Sequence, residues 1–191
     1  MMTTLTDEDM DPFTIDGHTA ADLSHEPEDG LGRELHDGVI YVVPPPSNKH
    51  QWAESALERA LLRRCPEDAY VFRGCGVHTG ANRLYVPDAM VVKANTPFHD
   101  NAYDASGVLL VAEVVSPSSV TMDRAAKPAV YAECGIPSYW RVDRDLTMHC
   151  FELIDGAYVP VAKASRGEKL TLDHPWPVTI TVDDLVLPHE R

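Results

Sequence analysis

The sequence predicts a single mixed α/β domain, with a central mixed sheet flanked by helices and extended by β-hairpins. Three observations carry that prediction. Val108 to Asp143 reads as strand, helix, strand. Two segments, 34–43 and 146–162, pair around Asp-Gly turns, and Asn48 to Arg64 has its apolar residues at helical spacing. At 191 residues and 44% hydrophobic content, the chain is long enough to bury a core as one unit.

The elements follow in order. Residues 1–17 are polar, acidic and aperiodic, which predicts a disordered leader, with residues 18–191 as the domain. Thr19-Ala20-Ala21-Asp22 starts a short helix that ends before Pro27. Glu34 to Val43 is a hairpin turning at Asp37-Gly38, and Pro44-Pro45-Pro46-Ser47 is a stiff connector. In Asn48 to Arg64, Trp52 or Ala53, Ala56-Leu57 and Ala60-Leu61 fall on one stripe, with Glu54, Glu58, Arg59 and Arg63 away from it; Pro66 ends the helix. Ala69 to His78 reads as a strand in which Gly74 and Gly76 suggest bulges, Leu84 to Lys93 as another, and 94–107 as a polar loop. Of the eight residues Val108 to Val115 seven are apolar, which suits a strand covered on both faces. Ser116-Pro117-Ser118-Ser119 breaks it, a helix follows from about Met122 to Cys134, and Gly135 and Pro137 close that helix. Ser138 to Val142 is a strand. Leu146 to Leu153 and Tyr158 to Ala162 pair around Asp155-Gly156; Val178 to Val182 adds a last strand before a short turn at Asp183 to Leu187.

Two acids contradict their surroundings. Glu113 sits among Val111, Ala112, Val114 and Val115, near the carboxyl end of its strand, where open α/β sheets place their chemistry. Asp88 interrupts the apolar run Leu84 to Val92, and Pro87 before it removes a backbone donor, as at a sheet edge or bulge. Two carboxylates in buried strands need a cation between them, or one takes up a proton. A divalent metal bound by Asp88 and Glu113 is the economical resolution.

These residues resemble a known family. Arg33-Glu34-Leu35-His36-Asp37-Gly38, His50-Gln51, Pro87-Asp88, the strand of Glu113, Ser116-Pro117-Ser118, Asp123, Lys127, Tyr131, Gly135-Ile136-Pro137 and Tyr139-Trp140 with Asp143 are similar, as an ordered set from Thr19 to Val186, to the Uma2 family (DUF820). The resemblance implies a restriction-endonuclease-like core of the PD-(D/E)XK nuclease fold. It also implies a Mg²⁺- or Mn²⁺-dependent endonuclease acting on DNA, and a homodimer. Such nucleases usually carry a lysine two positions after the second acid; Val115 stands there, and Lys127, on the following helix, is the substitute. In this scheme Asp88 and Glu113 hold the metal and Lys127 steadies the charge of the transition state. Pro128 disfavours a helical conformation at Lys127, so the helix can also begin at Pro128. Glu34 reads equally as a further metal-shell acid or an exposed hairpin carboxylate. His50 reads as a cap or packed ring or as a phosphate or metal ligand, and Asp123 as a residue that caps or orients the helix rather than a ligand. Tyr131, Tyr139 and Trp140 belong to the core.

Composition narrows the rest. The net charge of −14 opposes tight nonspecific binding to nucleic acid. Nine of the 30 acids lie between Asp7 and Asp29, where there is no Lys or Arg; the remainder holds 21 acids against 16 bases, a net of −5. The widely spaced Cys65, Cys75, Cys134 and Cys150 indicate neither a zinc site nor disulfides, but reduced, mostly buried thiols. Without a membrane-length apolar run or a signal-like N-terminus, a cytoplasmic protein is expected. Missing Gly-rich phosphate loops, Gly-x-Ser-x-Gly and His-Glu-x-x-His motifs argue against nucleotide, serine-hydrolase and zincin chemistry. The rival to a nuclease is a catalytically inactive protein of the same fold that binds a partner, which the acidic leader and Val115 favour.

Overall fold

A computed structural model describes residues 17–25, 29–99, 102–117 and 119–190. All but Gly17 of the expected leader lies outside that set, as do Pro27 and Ser118. A 3₁₀ turn at Ala20–His25 is fastened by Asp22, whose carboxylate accepts both the N–H and the hydroxyl of Thr19. Strands β1 (Gly32–His36) and β2 (Val39–Val43) form the expected hairpin, and Asp37 and Gly38 both take positive φ, 48° and 82°, as the tight turn requires. Helix α1 (Asn48–Leu62) starts at Ser47, whose hydroxyl accepts the N–H of His50, and buries the predicted stripe Ala53, Ala56, Leu57, Ala60 and Leu61.

The next segment departs from its linear reading. What reads as two long strands is four: β3 (Ala69–Phe72), β4 (Gly76–Gly80), β5 (Arg83–Tyr85) and β6 (Ala89–Lys93). Phe72 pairs with Met90 and Val77 with Tyr85, a single register, so the four make one antiparallel ribbon with Gly74 opposite Asp88. The ribbon is kinked there, because Gly74 takes φ 61° and Pro87 offers no N–H to a ladder. Its inner half joins one sheet and its outer half another. Where a polar loop was expected, β7 (Phe98–His99) and β8 (Ala102–Asp104) are found; they are too short to show a period, and β8 is recruited by parallel pairing with β4.

Strand β9 (Val108–Val114) follows. The expected helix is two pieces, a π turn at Met122–Ala126 and α2 (Lys127–Glu133). Pro128 explains the seam. In the wide turn the Lys127 N–H reaches Met122 O, and the next carbonyl, that of Asp123, receives no N–H from Pro128; the Tyr139 hydroxyl donates to it instead. Strands β10 (Ser138–Val142), β11 (Met148–Ile154), β12 (Ala157–Ala164), β13 (Lys169–Leu172) and β14 (Val178–Thr181) complete the chain, with 3₁₀ turns at Val182–Leu185 and Pro188–Glu190.

The central mixed sheet has the order β12-β11-β10-β9-β6-β3, parallel only between β9 and β10, whose connection carries α2. Helix α1 and the β13-β14 hairpin pack on one face with Val91, Leu110, Ala112 and Trp140. Helix α2 covers the other, where Val130 and Tyr131 meet Met90, Val111 and Tyr139. The second sheet runs β2-β1-β5-β4-β8-β7. This is the mixed α/β architecture the sequence predicts, hairpins included. The cysteines are free thiols, but only Cys150 is buried; the other three are half-buried. Among the described residues no helix is long and apolar enough to cross a membrane.

Candidate active site

Glu113 alternates with Ala112 and Val114, so its side chain falls on the face under α2, where almost no water reaches it: it is 2% exposed. Three groups from α2 and the turn before it meet it there. The Tyr131 hydroxyl donates to Oε1 at 2.9 Å, Lys127 Nζ lies 3.3–3.4 Å from the two carboxylate oxygens, and Asp123 approaches Lys127 at 3.7 Å. Lys127 makes its shortest contact, 2.9 Å, with Glu34 Oε1 on β1. Glu34 is therefore a buried partner of Lys127 rather than an exposed hairpin acid. It also accepts the Val86 N–H at 2.9 Å and faces His36 Nε2 at 3.0 Å.

The charges sort themselves by burial and proximity. Burial opposes ionisation of Glu34, but the His36 contact and the Lys127 charge outweigh it and hold its pKa at about 2. Burial likewise disfavours charge on Lys127, yet Glu113, Glu34 and Asp123 together keep it protonated well above its ordinary range. For Glu113 burial wins over the Lys127 charge and, with Asp123 and Asp88 nearby, pushes its carboxyl well up. Burial pushes Asp123 up too. The resident ion pair is thus Lys127 with Glu34, and Glu113 and Asp123 are the acids short of compensation. Asp123 Oδ1 is buried without a hydrogen-bond partner; its Oδ2 accepts the Ser119 hydroxyl, so Asp123 ties the π turn to the preceding loop as well as facing Lys127.

Asp88 stands at the ribbon's kink, at the start of β6 rather than inside a strand. Ala89 pairs with Ala112, which puts Asp88 next to Glu113 across the ladder. Because regular pairing stops at Ala89, the Val114 N–H turns to Asp88 Oδ2, at 2.5 Å. The other oxygen, Oδ1, faces His50 Nε2 at 3.0 Å, and the same nitrogen lies 3.0 Å from Glu54 Oε1, one helical turn along α1. Burial would lower the pKa of His50, but bonding to Asp88 and Glu54 raises it to about 10. Arg73 neutralises the outer side, 3.4 Å from Glu54 and 3.0 Å from Glu58.

The predicted residues thus fall into two neighbouring groups: Asp88 with His50, and Glu113 with Lys127, Glu34 and Asp123. Ligand atoms of His50, Glu54 and Asp88 lie within 4.8 Å of one another, and this is the group among the described residues that could hold a metal ion. Two carboxylates and an imidazole suit a first-row divalent ion such as Mn²⁺, and the oxygens suit Mg²⁺. Glu113 is not in that set. Glu54 is the residue the linear reading missed, placed with the solvated side of the helix. Its signal was there: His50 and Glu54 are four apart and share a face.

A family model, Uma2, described as "Putative restriction endonuclease", matches residues 22–183. Among solved structures, one described as a putative nuclease belonging to DUF820 from Anabaena variabilis is similar with a TM-score of 0.67 at 17% identity, over 87% of this chain and 96% of that one. No curated protein matches the sequence.

Proposed function

Since the chain belongs to the Uma2 family, we propose that it is a divalent-metal-dependent phosphodiesterase cutting DNA. The observation that carries this reading is Asp88, one of whose oxygens meets His50 of α1, with Glu54 close by, while the other accepts the Val114 N–H on the strand of Glu113. Asp88 and Glu113 are the proposed ligands, with Glu54 and His50 completing the set from α1. When bound, Mg²⁺ or Mn²⁺ would supply Lewis acidity and a water of lowered pKa. The chain's own groups do the rest. Lys127, held protonated against Glu34, supplies fixed positive charge beside Glu113 for the oxygens of a phosphate in transition. Tyr131 fixes the rotamer of Glu113, and Glu34 fixes Lys127.

Nicking of supercoiled plasmid in the presence of Mg²⁺ or Mn²⁺ tests the reading. Wild type is expected to nick, and Asp88→Ala and Glu113→Ala to lose at least about a hundredfold in rate, the scale of a lost metal ligand. Activity that survives both substitutions overturns it. A second reading, an inactive module of the same fold that binds a partner, is favoured by Val115 and by the enclosure of Lys127 among three acids. Calorimetric titration with Mn²⁺ separates the two, since the module needs no ion.

A further inference from the structure

Two arginines stand beside the acids with no part in the chemistry described so far. In the parallel pairing of β9 with β10, Arg141 is the neighbour of Glu113, on the same face of the sheet. Arg124 follows Asp123 in the π turn, three residues before Lys127. Both converge on one carboxylate: Arg141 Nε lies 2.9 Å and Arg124 Nη2 3.1 Å from Asp143 Oδ1. His149 Nε2 approaches the other oxygen of Asp143 at 3.2 Å, and Lys163 pairs across from His149. Asp145, in the following turn, is the other acid, and it accepts the Thr147 N–H.

In this cluster three bases stand with two acids. Arg124, Arg141 and Lys163 face Asp143 and Asp145. Burial, and after it the charge of Arg141, lowers the pKa of His149, so this ring adds no charge at neutral pH. Asp143 is buried while the Arg124 side chain is 48% exposed. Nε and Nη2 of Arg124 serve Asp143; Nη1 has no protein partner among the described residues. A guanidinium held on one edge by a carboxylate, with its other edge in water, is set to take a phosphate oxygen.

We propose that Arg124, aligned by Asp143 and braced by Arg141, holds a backbone phosphate of the nucleic acid beside the one to be cut, so that a chain of net negative charge can still seat a polyanion against its acids. This rests on the nuclease reading above. Arg124 makes the contact, and Arg141, stacked on Phe151 with its guanidinium 5.7 Å from the ring, braces it.

The test is the binding of a fluorescein-labelled DNA duplex by the full chain, followed by anisotropy across a salt series, with Mg²⁺ and with EDTA. For Arg124→Gln the dependence of log affinity on log salt should flatten by about one, the mark of one lost phosphate contact. Affinity at low salt should fall roughly tenfold, and Arg124→Lys should recover part of it. Arg64→Gln removes the same charge at an exposed position just past the end of α1 and should bind like wild type. If Arg124→Gln binds like wild type, or loses no more than Arg64→Gln, the phosphate contact is overturned while the metal site stands. Plasmid nicking lost in Asp88→Ala and Glu113→Ala but unimpaired in Arg124→Gln says the same. A wild-type protein that neither binds nor cuts DNA overturns both.

Discussion

Replacing Lys127 by alanine would leave Glu34, Glu113 and Asp123 facing one another out of water. The expected cost is about 3–5 kcal/mol, as for other buried ion pairs broken from one side, and a urea titration reads it directly. Glu113→Gln should behave in the opposite way. An amide oxygen still accepts from Tyr131, and the substitution removes an acid that its surroundings already push toward the neutral form. Its melting temperature should hold or rise while plasmid nicking disappears; a large drop would mean that Glu113 is ionised and structurally required. Glu34 gives the pH dependence. Its folded pKa, about 2, lies below the ordinary 4.5, so it stabilises the protein above pH 4.5 and that contribution is lost as pH falls toward 2. The contribution is on the order of 3 kcal/mol, and Glu34→Gln should flatten the acid limb of the stability curve across that window.

At the scale of elements, the kinked ribbon and the π turn place the site, and they were the least legible parts of the sequence. Hairpins with Asp-Gly turns, the α1 stripe and the β9 strand could be read from local periodicity, because turn chemistry and two-sided burial leave marks within a few residues. Asp88 and Glu113 stood out for the same reason, as carboxylates in apolar runs. A strand that changes sheets halfway keeps its alternation, so residues 69–93 read as two strands and not four; only Gly74 and Pro87 hint at the break. Glu34 gave no local sign of burial, because Lys127 and Val86 lie far away in sequence; for Glu54 only the spacing from His50 was legible, not the convergence of both on Asp88. Gly74→Ala should cost about 1–2 kcal/mol, since alanine resists φ 61°, and should weaken Mn²⁺ binding in calorimetry by moving Asp88 across the ribbon.

For the whole molecule, the −14 charge sets the terms of any encounter with nucleic acid. Nonspecific affinity should be weak at physiological salt and rise steeply as salt is withdrawn. We expect residues 18–191 to melt in a single cooperative transition by circular dichroism and by tyrosine or tryptophan fluorescence alike, as befits one domain; separated transitions would split it. The ribbon makes that cooperativity matter for the site. One pair of strands threads both sheets, and Glu34 holds Lys127 from the outer sheet while Asp88 sits at the bend, so the outer sheet acts as a lever with the acids at its fulcrum. Anything that tilts it, whether a ligand gripping the β1-β2 hairpin or a cut in that loop, would be felt first as a slackening of Lys127 and only afterwards as loss of fold.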